Sequence, residues 1–532
     1  MMTASAPIIN PVLHGFHPDP SWMWHDGKAW LVTSSFGLVP GLPIYTSHDL
    51  AHWDYAGPAI DEDMGERLFL KYLESDNRGV FAPSIRMIGD AIVIVSTVTS
   101  IDRQRALAGG ADPDELRRMC EAHGNFVLLS HDNGATWEGP HWVTGAVGND
   151  PDVFVDEDGS AWWLASHQSY DKQWPYQSDI YLRSLDLTTW SLSGPEHVLW
   201  HGALEGAVWA EAPHLLRKDG HYYLFAAEAG TERQHAQSVA RSDSLTDYFE
   251  GNPANPILSH RTLGGRFPVQ NIGHSDIMQD GDGRWWGVCL GSRIVNGYSF
   301  MGREPFVFPV EWENGWPVFA PGTGLVPHIT AIGNPRSGEG ERQGSDQPTR
   351  SSQAQREPQP LRIPLHPDWL WTKVDHTDFT IIAAPEQTDE IRIRQDNDHY
   401  ASLTFDQAAH TASATTYDNG ESLTVWEGAY RGDRRYSIRL NGTILEFGEE
   451  PDESDNAHES EIRDGAVTLV TRTNDLPYDA ISVGGYPIYR DHADDRLPHI
   501  RLLASCDAAF LSTEVSKGYL GCLAGLRPVT AK

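Results

Sequence analysis

Three acids stand where chemistry would start. Asp19 sits between two prolines in FHPDPSW, Asp150 precedes a proline in NDPDVFV, and Glu211 precedes Ala-Pro in WAEAPHL. Flanking prolines fix the backbone and remove N–H donors, which makes poor strand material but aims one side chain. Two carboxylates facing one sugar are the minimum equipment for breaking a glycosidic bond. One stays protonated to donate to the leaving oxygen, and the other stays ionised to activate water. A third acid nearby separates those two pKa values, because close like charges do not all ionise cheaply. Taken singly, Asp19 or Asp150 reads as an ordinary Asp-Pro turn starter. Glu211 is harder to explain as a turn.

Such acids need a scaffold that brings distant residues together, and the sequence repeats itself in a way that supplies one. The pattern around Asp19 returns as APSIRMIGDAIVIVST from Ala82, DPDVFVDEDGSAWWLAS from Asp150, EAPHLLRKDGHYYLFAA from Glu211 and HSDIMQDGDGRWWGVCLG from His274. Each copy has a polar or proline-marked lead, a strand-like run, a turn and an aromatic or β-branched run. The turns are Asp26-Gly27, Gly89-Asp90, Asp158-Gly159, Asp219-Gly220 and Asp282-Gly283, and Asp-Gly between apolar runs is a strong hairpin signal. They recur at roughly 60–70 residues, longer than familiar propeller repeats but enough for four strands and loops. The pattern predicts an all-β chain whose residues 1–325 form a five-bladed β-propeller. A β-sandwich with ordinary hairpins has no reason for a fixed long period. One helical insert is expected at DPDELRRMCEAHG, with Asp112 as N-cap and Pro113 at the first helical position.

Repeat-equivalent positions of a propeller converge on one mouth of its central channel, so Asp19, Asp150 and Glu211 are expected to share a pocket. His274 leads the fifth repeat. It reads either as a packed channel residue or as one facing a cation or ordered water. One histidine cannot hold zinc, whereas a calcium ion filling its shell mostly with water fits. No cofactor is required. Phe36 and Phe81 lie near the ends of repeat strands, where an aromatic face could line a sugar pocket. Trp30, Trp162, Trp163, Trp285 and Trp286 follow the turns and fit blade core.

Residues 326–360, rich in Gly, Ser, Pro and Gln from 335 onward, read as a linker or disordered loop. Beyond them, alternating segments such as EIRIRQ, YASLTF and YSIRLNG predict a second all-β domain, a sandwich over 361–532. The acidic stretch EFGEEPDESDNAHESE inside it reads as a solvated loop.

Bulk composition narrows the partners. The chain has 532 residues with 40 basic against 74 acidic ones, a formal charge of −34. Such a surface is repelled by nucleic acid and by anionic membrane, and no run approaches the roughly 18 apolar residues of a membrane span. The four cysteines (120, 289, 506 and 522) show no CxxC spacing. With an N-terminus lacking basic and apolar signal regions, they point to reduced thiols in the cytoplasm.

The motifs FHPDPSW, GVFAPSIR, NDPDVFVDEDG, WAEAPHLLRKDGHYYLF, GHSDIMQDGDGRWWGVCLG and MGREPFVFPVEWENGWPV occur in this order across the first domain. Together they resemble glycoside hydrolase family 43, in its β-xylosidase and α-L-arabinofuranosidase branch with a C-terminal sandwich. FLSTEVSKGYLGCLAGLRP resembles the closing segment of that sandwich. The resemblance implies an inverting mechanism with Asp19 as general base, Glu211 as general acid and Asp150 tuning and orienting the acid. It implies that Arg303 in MGREPF reaches the pocket and contacts the sugar or the third acid. It also implies that His274 lies beside a calcium ion or water. The sandwich in relatives lends a residue to the pocket rim and often supports oligomers, so a homo-oligomer follows by analogy. Gly37 and Asp152 depart from the family pattern at positions expected to border the sugar pocket.

The expected substrate is a short xylan-derived oligosaccharide, losing terminal xylose, arabinofuranose or both. An α-L-arabinofuranosidase debranching arabinoxylan oligosaccharides is the close alternative. A non-catalytic sugar-binding propeller has no need of three acids. A retaining fructosyl hydrolase would open on Asn-Asp-Pro-Asn-Gly rather than the HPDPS found at 17–21.

Overall fold

The computed structural model describes residues 6–332, 357–451, 459–464, 467–474, 478–482, 484–489 and 500–529. Five consecutive four-stranded antiparallel sheets fill the first domain, each with its strands in chain order. Their innermost strands are Ser21–His25, Val80–Ile88, Asn149–Val155, Glu211–Lys218 and Val269–Gln279. Each inner strand packs on the next, and the fifth packs on the first, so the sheets close a ring. This is a five-bladed β-propeller.

Apolar side chains on both faces of each blade explain the closure. Met23, Trp30 and Ile44 of blade one pack with Ile85, Ile94 and Phe126 of blade two. Val93 and Val127 of blade two meet Val153, Trp163 and Tyr181 of blade three. Leu164 and Leu182 meet Leu224 and Ala240 across the next interface. Phe225 and Val239 meet Ile272 and Phe306, and Trp286 and Val307 of blade five return to Trp22 and Leu31. Burying one such side chain contributes about 1.5–3 kcal/mol, so every interface holds a substantial share of the domain's stability. Trp30, Trp163 and Trp286 lie in these interfaces as expected, with Trp162 and Trp285 half-buried at their edges.

The hairpins differ in detail from the sequence expectation. Both turn residues have positive φ at Asp26-Gly27 (50° and 72°) and at Asp219-Gly220 (52° and 84°). At the third and fifth turns only Gly159 and Gly283 do. There the strands close one residue earlier, through Asp156 N to Ser160 O and Asp280 N to Arg284 O (both 2.9 Å), leaving three-residue loops. The helical insert spans Pro113–Glu121, and the Asp112 carboxylate accepts from the N–H groups of Asp114 and Glu115.

Residues 326–332 carry a strand pair. Ile329–Thr330 pairs with Ile8–Ile9, joining the domain's end to its beginning. Residues 333–356 of the expected linker lie outside the described residues. Glu357 follows, paired with Lys373 at 2.6 Å.

The second domain packs a seven-stranded sheet on a six-stranded one, with Ile391, Ile393 and Leu403 of the first against Phe379, Ile438 and Leu445 of the second. The acidic stretch read as a solvated loop is strand at both ends, Ile444–Pro451 and Glu459–Asp464; residues 452–458 lie outside the described ones. Burial is the reason. Glu450 and Glu459 turn inward and meet Arg472 at 3.0 and 2.9 Å, and Glu459 also meets Arg435 at 2.8 Å. The sandwich docks on the propeller through a cluster that joins Phe16, Phe36 and Leu38 to Leu361, Trp371 and Leu520.

Candidate active site

Each inner strand begins with the same irregularity. The register slips by one residue between Phe81 and Ser84, Asn149 and Asp152, Glu211 and His214, and Gly273 and Asp276. Such a bulge re-aims a side chain. Within it the residues Ala82, Asp150, Ala212 and His274 adopt left-handed φ of 42°, 55°, 53° and 53°. Asp19, at φ 55°, takes the same place in blade one, where Ser34 N reaches past it to Pro18 O at 2.9 Å. Left-handed backbone in a non-glycine residue costs about 1–3 kcal/mol and persists where the surroundings over-determine it.

This register corrects one point of the sequence reading. Asp19, Asp150 and His274 are repeat-equivalent, but the equivalent of Glu211 is Phe81 or Asn149, one residue earlier. Glu211 therefore enters the mouth from beside the bulge, next to Asp150. The link is direct, because the N–H of Ala212 donates to Asp150 Oδ2 at 3.1 Å.

The acids have different surroundings. Asp19 is buried, accepts Ser34 Oγ at 2.7 Å on one oxygen and forms an ion pair with Arg303 Nη1 at 2.6 Å on the other. His274 Nδ1 lies 3.6 Å from that second oxygen. Asp150 accepts Asn149 Nδ2 at 2.8 Å. Burial pushes its carboxyl above the ordinary range, against the pull of His274 and Asn149. Burial raises the half-buried Glu211 well above its ordinary value, and the nearby charges of Asp150 and Asp19 add to it, with only Arg303 opposing. Burial moves His274 the other way, below its ordinary value, against the attraction of Asp19 and Asp150. The mouth thus holds two carboxyls, Glu211 and Asp150, that burial raises above their ordinary range, and a third, Asp19, paired with a guanidinium.

Arg303 was expected at the sugar or the third acid. Its Nη1 pairs with Asp19, while its Nη2 donates to Tyr519 O of the sandwich at 3.3 Å. Its guanidinium lies 5.5 Å over the ring of Phe36. Phe36 is buried, with ring centroids 4.5 Å from Phe81 and 5.3 Å from Phe16, so it backs the wall. Phe81 is only half-buried and holds the position equivalent to Glu211.

Two residues further along each strand lies a second inward ring: Ser21, Ser84, Asp152, His214 and Asp276. Arg86 unites it. Its two terminal nitrogens meet Asp152 Oδ2 at 2.6 Å and Asp276 Oδ2 at 2.9 Å, with His214 Nδ1 at 3.0 Å. With Ser21 Oγ at 3.3 Å as well, partners on four other blades place this guanidinium on the channel axis. The expected placing of Asp152 at the sugar pocket is therefore corrected: its carboxylate belongs to the channel floor. Gly37 packs against the 73–78 segment, where a Cβ would meet Leu73 at 3.1 Å. Sequence reasoning missed this floor, although the repeat that flagged Asp19 and His274 flags Ser21 and Asp276 two residues later. Among the described residues no group of three or more His, Cys, Asp or Glu side chains is arranged to hold a metal ion, and the cation at the centre of the channel is Arg86.

Residues 8–317 match Glycosyl hydrolases family 43. The chain belongs to that family. A xylosidase/arabinosidase of Butyrivibrio fibrisolvens is 38% identical over 324 residues, 60% of this chain and 57% of that protein. A non-reducing end alpha-L-arabinofuranosidase of Bacteroides ovatus is 32% identical over 314 residues, 58% of this chain and 52% of that protein. The match to these curated relatives thus spans little more than half their length. The solved structure of Bacteroides ovatus xyloglucan PUL GH43B shares the fold over both domains of this family 43 chain. Its TM-score is 0.72 at 23% identity, over 98% of this chain and 96% of that one.

Proposed function

We propose that this family 43 protein is an inverting, exo-acting glycoside hydrolase that releases xylose, arabinofuranose or both from the ends of xylan-derived oligosaccharides. The observation that carries the reading is the asymmetry of the mouth. Burial and its acidic neighbours raise Glu211 well above its ordinary value, whereas the buried Asp19 is paired with Arg303. Glu211 donates its proton to the leaving oxygen. Asp19, oriented by Ser34 and Arg303, takes a proton from the attacking water, which enters from the opposite face of the sugar and inverts the anomeric centre. Asp150 keeps Glu211 protonated and, through the N–H of Ala212, fixes the strand that carries it. His274, neutral beside Asp19, is placed to hold the water.

The two relatives, a xylosidase/arabinosidase and an alpha-L-arabinofuranosidase, favour pentose substrates for this chain. No step of this reading runs through the calcium expected beside His274. Among the described residues no helix is long and apolar enough to cross a membrane, and the four cysteines are free thiols. Both are compatible with a cytoplasmic enzyme taking imported oligosaccharides.

The test is to compare kcat/KM on xylobiose and on an arabinofuranosyl-substituted xylo-oligosaccharide, identifying the sugar released and its initial anomer by NMR. Excess xylose makes the protein a β-xylosidase, and excess arabinose makes it a debranching arabinofuranosidase. A product of retained configuration would overturn the assignment of Asp19 as base, and release of neither sugar would overturn the reading as a whole.

A further inference from the structure

Two adjacent residues of the sandwich, Arg394 and Gln395, reach opposite sides of the pocket wall from the end of the strand Thr388–Arg394. Both are buried, at 1% and 0% exposure. Arg394 Nη2 pairs with Asp76 Oδ2 of the propeller at 2.5 Å, Nη1 donates to Asn397 Oδ1 at 2.8 Å, and the guanidinium lies 4.6 Å over the ring of Trp371. His366 Nε2 approaches the same Asp76 oxygen at 3.3 Å. Asp76 belongs to a segment whose backbone lies directly against Phe36 and Gly37. Gly79, at φ 127°, touches the Phe36 carbonyl so closely that no Cβ fits, and Val80 exchanges two backbone hydrogen bonds with Phe36 at 3.0 and 3.1 Å.

Gln395 faces the other way. Its Nε2 donates to Leu520 O and its Oε1 accepts the Cys522 thiol at 3.7 Å. The segment so held packs backbone to backbone on the propeller: a Cβ on Gly302 would lie 2.7 Å from the Gly521 Cα, and Cys522 N donates to Phe300 O at 2.7 Å. Tyr519 O, in the same segment, accepts from Arg303. One sandwich side chain therefore fixes the segment behind Phe36, and its neighbour fixes the segment that receives Arg303.

We propose that Arg394 and Gln395 are positioning residues for the sugar pocket, a two-residue bracket through which the sandwich sets the Arg303 guanidinium against both Asp19 and the Phe36 ring. The inference rests on the assignment of Asp19 and Arg303 to the sugar site. It makes these two sandwich residues part of the machinery by holding Arg303 and Phe36 in place rather than by touching the reacting atoms. Misplacement by about 1 Å is enough to cost up to roughly 100-fold in rate.

The experiment uses the full chain and two aryl glycosides, a β-D-xyloside and an α-L-arabinofuranoside. Gln395→Met keeps volume and neutrality while removing the bond to Leu520, and Arg394→Met removes the ion pair with Asp76. Arg439→Met, which breaks the pair with Asp378 inside the sandwich at 2.7 Å, controls for general loss of stability. The bracket predicts that Gln395→Met lowers kcat/KM by roughly tenfold or more. It also predicts a change of about threefold or more in the xyloside-to-arabinofuranoside ratio, while Arg439→Met changes neither. Equal losses on both substrates that merely follow Tm, or unchanged kcat/KM, would overturn the bracket. Should Arg394→Met fail to fold, Gln395→Met decides alone. A wild-type protein inactive on both glycosides would instead bring down the functional reading on which the bracket stands.

Discussion

The mouth and the floor of the channel are built from the same strands, two residues apart, yet they treat charge in opposite ways. On the floor, Asp152 and Asp276 share one arginine with a histidine and a serine, and every carboxylate there is met by a donor within 2.9 Å. At the mouth, three carboxyl groups have one arginine between them, and of the three it hydrogen-bonds Asp19. Burial alone would lower Arg86, but Asp152 and Asp276 outweigh it and hold the guanidinium above its ordinary value. Asp276, which burial alone would raise, ends below the carboxylate range because Arg86 and its other partners outweigh burial. Asp150 and Glu211 end above it. A propeller thus separates structure from chemistry by depth: a compensated layer holds the blades together, and an under-compensated layer above it keeps a proton available.

Removing the mouth's proton donor is the largest change this contrast predicts. Glu211→Ala lowers turnover on natural oligosaccharides by roughly 10²–10⁴, the usual worth of a general acid. The loss shrinks for nitrophenyl glycosides, whose leaving groups need no proton. Asp19→Ala costs about as much but spares no substrate, since every leaving group still needs an activated water. Steady-state kcat on both substrate types checks this, and a Glu211→Ala enzyme near wild-type on oligosaccharides would break the assignment.

The matching change on the floor acts on stability. Arg86→Met leaves Asp152 and Asp276 side by side without their cation, and breaking a buried ion pair in this way costs about 3–5 kcal/mol. Denaturant midpoints measure it. The folded fraction keeps far more turnover than Glu211→Ala, and an equal loss of kcat would erase the distinction between the two layers.

Asp150 tests the mouth's own coupling. Its charge is one of the causes that raise Glu211, so Asp150→Asn lowers the pH at which Glu211 loses its proton. The alkaline limb of the kcat profile moves to lower pH. An unmoved limb would reduce Asp150 to orienting Glu211 through the Ala212 N–H.

How much of this was legible in the sequence depends on what kind of contact makes each feature. The five-fold repeat and its Asp-Gly turns are local chemistry, and they led to the blades and to Asp19, Asp150 and His274. Glu211 was flagged as the lead of its repeat like the others, although its register is one residue off, because a bulge moves backbone without leaving a mark in residue spacing. Arg86 sits in a strand that reads as ordinary alternation. Its partners lie 66 and 190 residues away, at distances no local pattern reports. The inward turn of Glu450 and Glu459 was hidden for the same reason, since their arginines come from other strands.

The smallest effect separates the layers most directly, because it depends on sign. A carboxyl whose pKa is raised on folding binds a proton that the unfolded chain releases, so stability falls as pH rises from the ordinary value of 4.5 toward the raised one. Glu211→Gln removes that cost. The variant should match wild type in stability near pH 4 and exceed it increasingly above. The gain is at most about 1.4 kcal/mol for each pH step crossed between the two values, and solvent screening of this half-buried group reduces it. Asp276 has the opposite sign. Its lowered carboxyl stabilises the fold above the unfolded pKa and loses that contribution as pH falls through the folded one. Asp276→Asn should therefore be most damaging near neutrality and least damaging in acid. Thermal melts of the two variants across pH 4–8 give two difference curves. If both curves bend the same way, the layers do not differ in charge compensation, and the proton on Glu211 needs another explanation.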